Sequence, residues 1–271
     1  MEKTNFLFSA VLLLFLFPNK SDSQNNDRII FKDDKGNQLT FSDLEGATGT
    51  YNYEIMDDKK ISKNAIRLHQ EARQHGGNGE YDSAIQKLLS ANRLAPNWAY
   101  PIYDLAYTYL LQNDFENSLK YYEMTDRMEP KGFFTSKTAY WALKKESEGK
   151  FQSGLYLAFM QIEWLNSDEE KLKIARAIIN KYPDYAPAWK VIAGKAQTHS
   201  ERLDAIKNGL NSDPDLETLG ILLINKALIE DVNGNTEAAT KILGDLIFDE
   251  KTTFANIEIA KLVMSSITKR N

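Results

Sequence analysis

The chain has 271 residues, 42% hydrophobic and 26% charged, an ordinary globular balance. A formal net charge of −5 and a sequence pI of about 5.4 oppose a nucleic-acid phosphate backbone, and no dense basic run offsets them. With 0 cysteines, disulfides, thiolate catalysis and thiolate metal sites are excluded together.

Residues 1–23 read as a secretory leader. Glu2 and Lys3 precede an apolar run from Phe6 to Phe17 that Pro18 breaks, and Ser21 and Ser23 are small residues before Gln24. A bilayer span needs roughly 20 apolar residues, so the run is short for an uncleaved anchor. The mature chain is therefore expected to begin near Gln24 and to be exported, periplasmic or extracellular. Residues 24–60 form an extension of different texture. Ile29-Ile30-Phe31-Lys32 is a strand candidate, Asp33 to Asn37 supply a turn, and Leu39-Thr40-Phe41 is a returning strand. Gly46, Gly49, Tyr51 and Tyr53 follow without helical period.

From Ala65 to Gly132 the chain repeats itself. Ala72 maps to Ala106, Tyr81 to Phe115, Ala84 to Ser118, Leu88 to Tyr122 and Pro96 to Pro130, each 34 residues later. Small side chains let helix axes approach, and proline, lacking an amide donor, ends a helix. This pattern resembles the tetratricopeptide repeat family, one helix-turn-helix per unit. Ala91 and Thr125 extend the match, whereas Glu71 and His75 stand where the family prefers large apolar residues and tyrosine. With Gly76, Gly77 and Gly79 after them, the first helix is expected to be a frayed end.

The resemblance implies an all-α helical solenoid of about five imperfect repeats over 61–271, preceded by the short β-hairpin extension. Phe31, Asp34, Gly36, Phe41, Ser42, Asp43 and Leu44 of the extension also resemble the opening of thioredoxin-like thiol peroxidases, but those need a cysteine and a β-α-β pattern, and neither follows.

Beyond Gly132 the register slips. Helices are expected to Glu148, from Phe151 to Trp164, and from the capping sequence Ser167-Asp168-Glu169-Glu170 to before Pro183. The unit either spans Thr135 to Asn166 or starts at Phe151 and closes at Pro183, leaving one helix unpaired. Pro183 to Trp189 reads as a junction between units. Glu201 to Leu210 is a short helix, and Leu219 to Ile229 a buried one. Asn233-Gly234-Asn235 is a turn before a helix marked by Ala239, Leu243 and Leu246. Phe254, Ile257, Ala260, Val263, Met264 and Ile267 form the apolar stripe of a terminal cap, with Lys261, Lys269 and Arg270 on its wet side.

Motifs for chemistry do not survive. His69, His75 and His199 form no close ligand set, so no metal is expected. No Gly-x-Ser-x-Gly elbow occurs. Asp231 to Asn235 opens like a calcium loop, but Thr236 replaces the required glycine and Ile242 the bidentate glutamate. No cofactor and no catalysis are expected.

The family's ligands lie along the first helices of the units. By register this face carries His69 and Arg73, then Tyr100, Tyr103 and Tyr107 at helical spacing. Tyrosines offer apolar area with a polar handle, which suits a peptide. The family's clamp for a C-terminal carboxylate uses lysine, arginine and asparagine. Here Arg73 alone fits, because Tyr103, Tyr107, Ala139 and Leu143 occupy the other positions. An extended apolar or aromatic peptide, or the chain's own N-terminal segment, suits this face better.

The expected function is an exported protein-interaction scaffold with a protein or peptide partner. Two alternatives stand beside it: an enzyme or accessory subunit acting on an envelope polymer or glycan, and a purely structural subunit of a larger complex.

Overall fold

The computed structural model describes the backbone of residues 29–32 and 52–55, and residues 60–268 in full. The leader at 1–23, the turn at Asp33 to Asn37, the strand expected at Leu39 to Phe41, Lys269 and Arg270 lie outside the described residues. Strand β1 (Ile29–Lys32) pairs antiparallel with β2 (Asn52–Ile55), with Phe31 opposite Tyr53. The partner of β1 thus includes Tyr53, from a stretch for which no element was expected. Its Asn-Tyr-Glu-Ile sequence alternates polar and apolar residues, the period of a strand with one face covered.

Twelve helices follow in the described residues: α1 (Lys63–Gly77), α2 (Tyr81–Leu94), α3 (Ala99–Leu111), α4 (Phe115–Met128), α5 (Ser136–Ser147), α6 (Leu155–Trp164), α7 (Asp168–Lys181), α8 (Ala186–Lys195), α9 (His199–Asn211), α10 (Leu216–Val232), α11 (Thr236–Phe248) and α12 (Phe254–Thr268). The helical region divides into two compact units within α6, between Ala158 and Phe159.

In the first unit, α1 packs on α2, α3 on α4, and α2 and α4 on the next helix along the chain. The repeat seen in the sequence is a repeat of buried positions. Ala84, Leu88 and Ala91 are the buried residues of α2, and Ser118, Tyr122 and Thr125 those of α4. Their i, i+4, i+7 spacing is one helical face. The turns repeat as well. Gly79 at φ 78° and Asn113 at φ 60° sit between paired helices, and in the second unit Gly234 at φ 84° does the same. That left-handed geometry is open to glycine and tolerated by asparagine.

Helix α1 is not frayed, as the glycines suggested. Ser62 caps it by accepting from the Ala65 amide, and Ala65, His69 and Ala72 bury one face. Gly76 and Gly77 are helical, and of the three glycines only Gly79 turns the chain. Glu71, out of place by the family pattern, is bound by Arg67 and by Lys87 of α2 at 2.6 Å.

In the second unit, α7 packs on α8, α8 on α9, α10 on α11, and α12 on both α10 and α11. The α10–α12 core holds Ile224, Ala227, Leu243, Leu246, Ile259, Val263 and Ile267, so the expected apolar stripe of the last helix is its buried face. Helix α7 occupies the place of α2 in the register: Pro183 closes it as Pro96 closes α2. Its buried Lys171, Ala175 and Ile178 are the fourth, eighth and eleventh residues, as Ala84, Leu88 and Ala91 are in α2. Gly149 at φ 74° joins α5 to α6 by the turn that joins α1 to α2, with the Lys150 amide donating to the Lys145 carbonyl as the Glu80 amide does to that of His75, so the turn marks α5 and α6 as a pair while the closing proline marks α7 as a second helix.

Two close crossings here depend on glycine. A Cβ on Gly209 would lie 2.8 Å from Leu222 Cδ1 and 3.0 Å from Trp189 Cβ. One on Gly220 would lie 2.0 Å from Asn256 Nδ2, whose amide donates to the carbonyls of Leu216 and Glu217. The Asp231 to Asn235 segment is a repeat turn, with Asp231 accepting from the Thr236 hydroxyl at 3.1 Å.

Candidate functional site

The candidate site is the first-helix face of the first unit, built from α1, α3 and the loop between α4 and α5. Its centre is an acid that sequence reasoning passed over. Asp104 is 6% exposed and is the one charged residue in the thirteen of α3. That lone charge in an otherwise apolar helix was the signal available. Its Oδ2 accepts from His69 Nε2 at 2.7 Å and from Arg73 Nε at 2.9 Å, both on α1. Burial alone would raise the Asp104 carboxyl, but the Arg73 charge and the bond from His69 outweigh it and lower the pKa to about 2. In return Asp104 raises the Arg73 guanidinium.

The five residues singled out from the sequence come together, but not as one open surface. His69 is 6% exposed, with its ring against Trp98 at 4.8 Å and Tyr100 at 5.9 Å. Tyr103 is 1% exposed and belongs to the core. Its ring meets Tyr122 at 5.7 Å, Phe133 at 5.5 Å and Phe134 at 5.3 Å, and its hydroxyl bonds that of Thr135 at 2.9 Å. Helical spacing placed Tyr103 on the correct side of α3; the loop before α5 then covers it. His69 and Tyr103 are thus supports beneath the face.

The half-buried residues at the surface are Tyr100 and Tyr107 on α3, Phe134 on the loop, and Arg73, whose side chain is 47% exposed. Tyr100 packs edge-on to Phe134 at 5.7 Å. Phe134 was not foreseen as part of this face. It holds φ at 48°, which a residue with a Cβ adopts at a cost of about 1 kcal/mol or more. The surface that results is aromatic with one cation, and the cation is fixed from below by a buried carboxylate.

His75 is bound to Glu80 and His199 is exposed at the start of α9. Among the described residues no group of three or more histidines, aspartates or glutamates is placed to hold a metal ion. No helix among them is long and apolar enough to cross a membrane.

No family model matches the chain, and no curated protein matches it. Solved structures similar to it include MamA 41-end from Desulfovibrio magneticus RS-1, at 13% identity, and the MamA RS-1 ArsTM double mutant, at 14%. Each alignment covers 76% of this chain and 98% of the other, with a TM-score of 0.33. At that likeness neither a site nor a partner transfers to this chain.

Proposed function

We propose that this chain is an exported, non-catalytic scaffold that holds an extended segment of a partner protein against α1 and α3 of its first unit. The observation that carries the reading is the half-buried Tyr100, packed on Phe134 at 5.7 Å, with Tyr107 two turns further along α3 and Arg73 of α1 anchored to the same helix by Asp104 at 2.9 Å. Rigid aromatics give large contact area at small entropic cost, and a guanidinium adds a directional donor for a backbone carbonyl or a carboxylate. Export rests on the leader-like run from Phe6 to Phe17 and the small Ser21 and Ser23. Intact mass of the protein from its native host checks it: a chain beginning near Gln24 agrees, and a full-length mass overturns it.

A display library of extended peptides, selected on the full chain, tests the binding face. Tyr103→Ala is the wrong probe, because emptying a core position would cost about 3–5 kcal/mol of fold. Phe134→Gly with Tyr107→Ala is the right one, since glycine accepts the left-handed backbone at 134. Selected peptides should lose at least about tenfold in affinity for this double variant. Peptides that bind it as well as the parent would remove this face as the site.

A further inference from the structure

The second unit carries a group of charges that its own helices leave unsatisfied. Lys171 is the fourth residue of α7 and only 6% exposed. At the same place α2, α4 and α11 bury Ala84, Ser118 and Ala239. A lysine has therefore entered a position built for a small side chain. Its ammonium makes no hydrogen bond to the described residues and has no carboxylate among them within 4.0 Å.

The other charges there do not quench it. Lys190 of α8, half-buried, also has no carboxylate within 4.0 Å among the described residues. Lys195 of α8, 15% exposed at its side chain, contacts Asp168 of α7 at 2.8 Å, and that carboxylate is 53% exposed. Glu163, in the last turn of α6, feels both Lys190 and Lys171 but pairs directly with neither. The first unit supplies the contrast: its buried Lys137, 9% exposed, has Asp126 at 2.7 Å.

We infer that the junction of α6, α7 and α8 is a binding site for a tetrahedral oxyanion of the phosphate and sulfate class, with Lys171 and Lys190 as the principal donors and Lys195 beside them. A lysine drawn almost wholly into a helix contact keeps its ammonium only at the edge of solvent, with little water and no carboxylate to hold it, and an anion that reaches that edge supplies the missing partner. Three ammonium groups against the Asp168 carboxylate leave a charge of +2 while Glu163 is protonated, which suits a dianion. Lysines serve such a ligand as point charges. Burial pushes the Glu163 carboxyl up to about 7 although two lysines act against it. Glu163 therefore does not behave as the fixed counter-ion of Lys171. When neutral it is a hydroxyl donor to the same anion, and when ionised it competes with it. This site lies in the second unit and does not depend on the peptide-binding reading.

The test uses the full chain with sodium sulfate, inorganic phosphate and phenyl phosphate as probes, at ionic strength matched with chloride. Sulfate and phosphate should raise the melting temperature above the chloride control and titrate by calorimetry to one site. Lys171→Ala installs the residue that α2 and α11 carry at that place, so it should fold. It should be no less stable in chloride, and its sulfate affinity should fall at least about tenfold. Lys190→Met should move affinity the same way from a half-buried position. Because sulfate stays doubly charged, its affinity for the parent should weaken from pH 6 to pH 8 as Glu163 ionises beside Asp168 and the three lysines. Glu163→Gln should flatten that profile. Phenyl phosphate binding as inorganic phosphate does supports a phosphoryl group carried on a larger molecule. Binding of the inorganic ions alone supports a free-ion site. Equal responses to sulfate and chloride, or unchanged sulfate binding in Lys171→Ala, overturn the inference.

Discussion

Asp104 in the first unit and Glu163 in the second are desolvated carboxyls treated in opposite ways. In the first, Asp104 meets His69 at 2.7 Å and Arg73 at 2.9 Å, and Lys137 meets Asp126 at 2.7 Å. In the second, Glu163 and Lys171 are near one another's field but not in contact. The consequence shows in their proton affinities. Burial acts first on both carboxyls and pushes both up. Direct partners bring Asp104 down to about 2, whereas distant lysines leave Glu163 at about 7. A contacting cation makes the difference: Glu146 accepts from the Gly154 and Tyr156 amides at 2.7 and 2.6 Å and is still pushed up by burial, whereas Asp104 has Arg73 in contact and is brought down.

The largest effect expected from this contrast is at Asp104. Asp104→Ala strands the buried His69 ring and takes from Arg73 its bond to Asp104, and should cost about 3–5 kcal/mol in urea unfolding. Glu163→Gln should cost less than about 1 kcal/mol, since it breaks no direct bond. Equal losses in the two variants would break the comparison.

The pH profile comes next, with opposite signs. Asp104 has its folded pKa depressed, so its contribution of about 2 kcal/mol is present above its unfolded value near 4 and is lost as pH falls toward about 2. Glu163 has its folded pKa raised, so the protein loses about 2–3 kcal/mol as pH rises from about 4.5 to about 7, and little beyond. Urea midpoints across that range should drop with pH in the parent, and Glu163→Gln should level the drop. A parent curve that is flat between pH 4.5 and 7 contradicts the assignment to Glu163.

The smallest effect sharpens the contrast between lysines. Lys137→Ala leaves Asp126 without its partner and opens a cavity, for about 1–3 kcal/mol. Lys171→Ala removes an ammonium that nothing holds, and in chloride its stability should stay within about 0.5 kcal/mol of the parent or rise. A loss at Lys171 as large as that at Lys137 would mean that Lys171 is held by its own helices after all.

Much of the helical architecture was legible before any coordinates. The offset of 34 residues from Pro96 to Pro130, and small residues such as Ala84 and Ser118, announced paired helices, and the pairs α1–α2 and α3–α4 are there. In the stretch from 133 to 185 both signals of a unit occur: α7 buries the same three places as α2, and Gly149 joins α5 to α6 by the turn that joins α1 to α2. Of the strands, β1 formed as read and the strand expected at Leu39 to Phe41 lies outside the described residues, while the pairing of β1 with Asn52–Ile55 was not foreseen because strand pairing is non-local. The candidate face was legible as a side of a helix only. Tyr100 and Tyr107 remain at the surface, and Tyr103 does not, because Phe133 and Phe134 come over it from 30 residues away in the chain.

The sequence by itself determined the local elements: helical periods, caps such as Ser62 and Asp215, left-handed turns at Gly79 and Gly234, and closing prolines. These depend on residues within a few positions of one another, so spacing reveals them. Tertiary structure alone decided which charges on different helices touch. Asp104 meets Arg73 across 31 residues, and Lys171 meets no carboxylate although Glu163 lies eight residues before it. A hydrogen bond is lost over one or two ångströms while the charge attraction fades slowly, so contact depends on how helices pack and not on their sequence register.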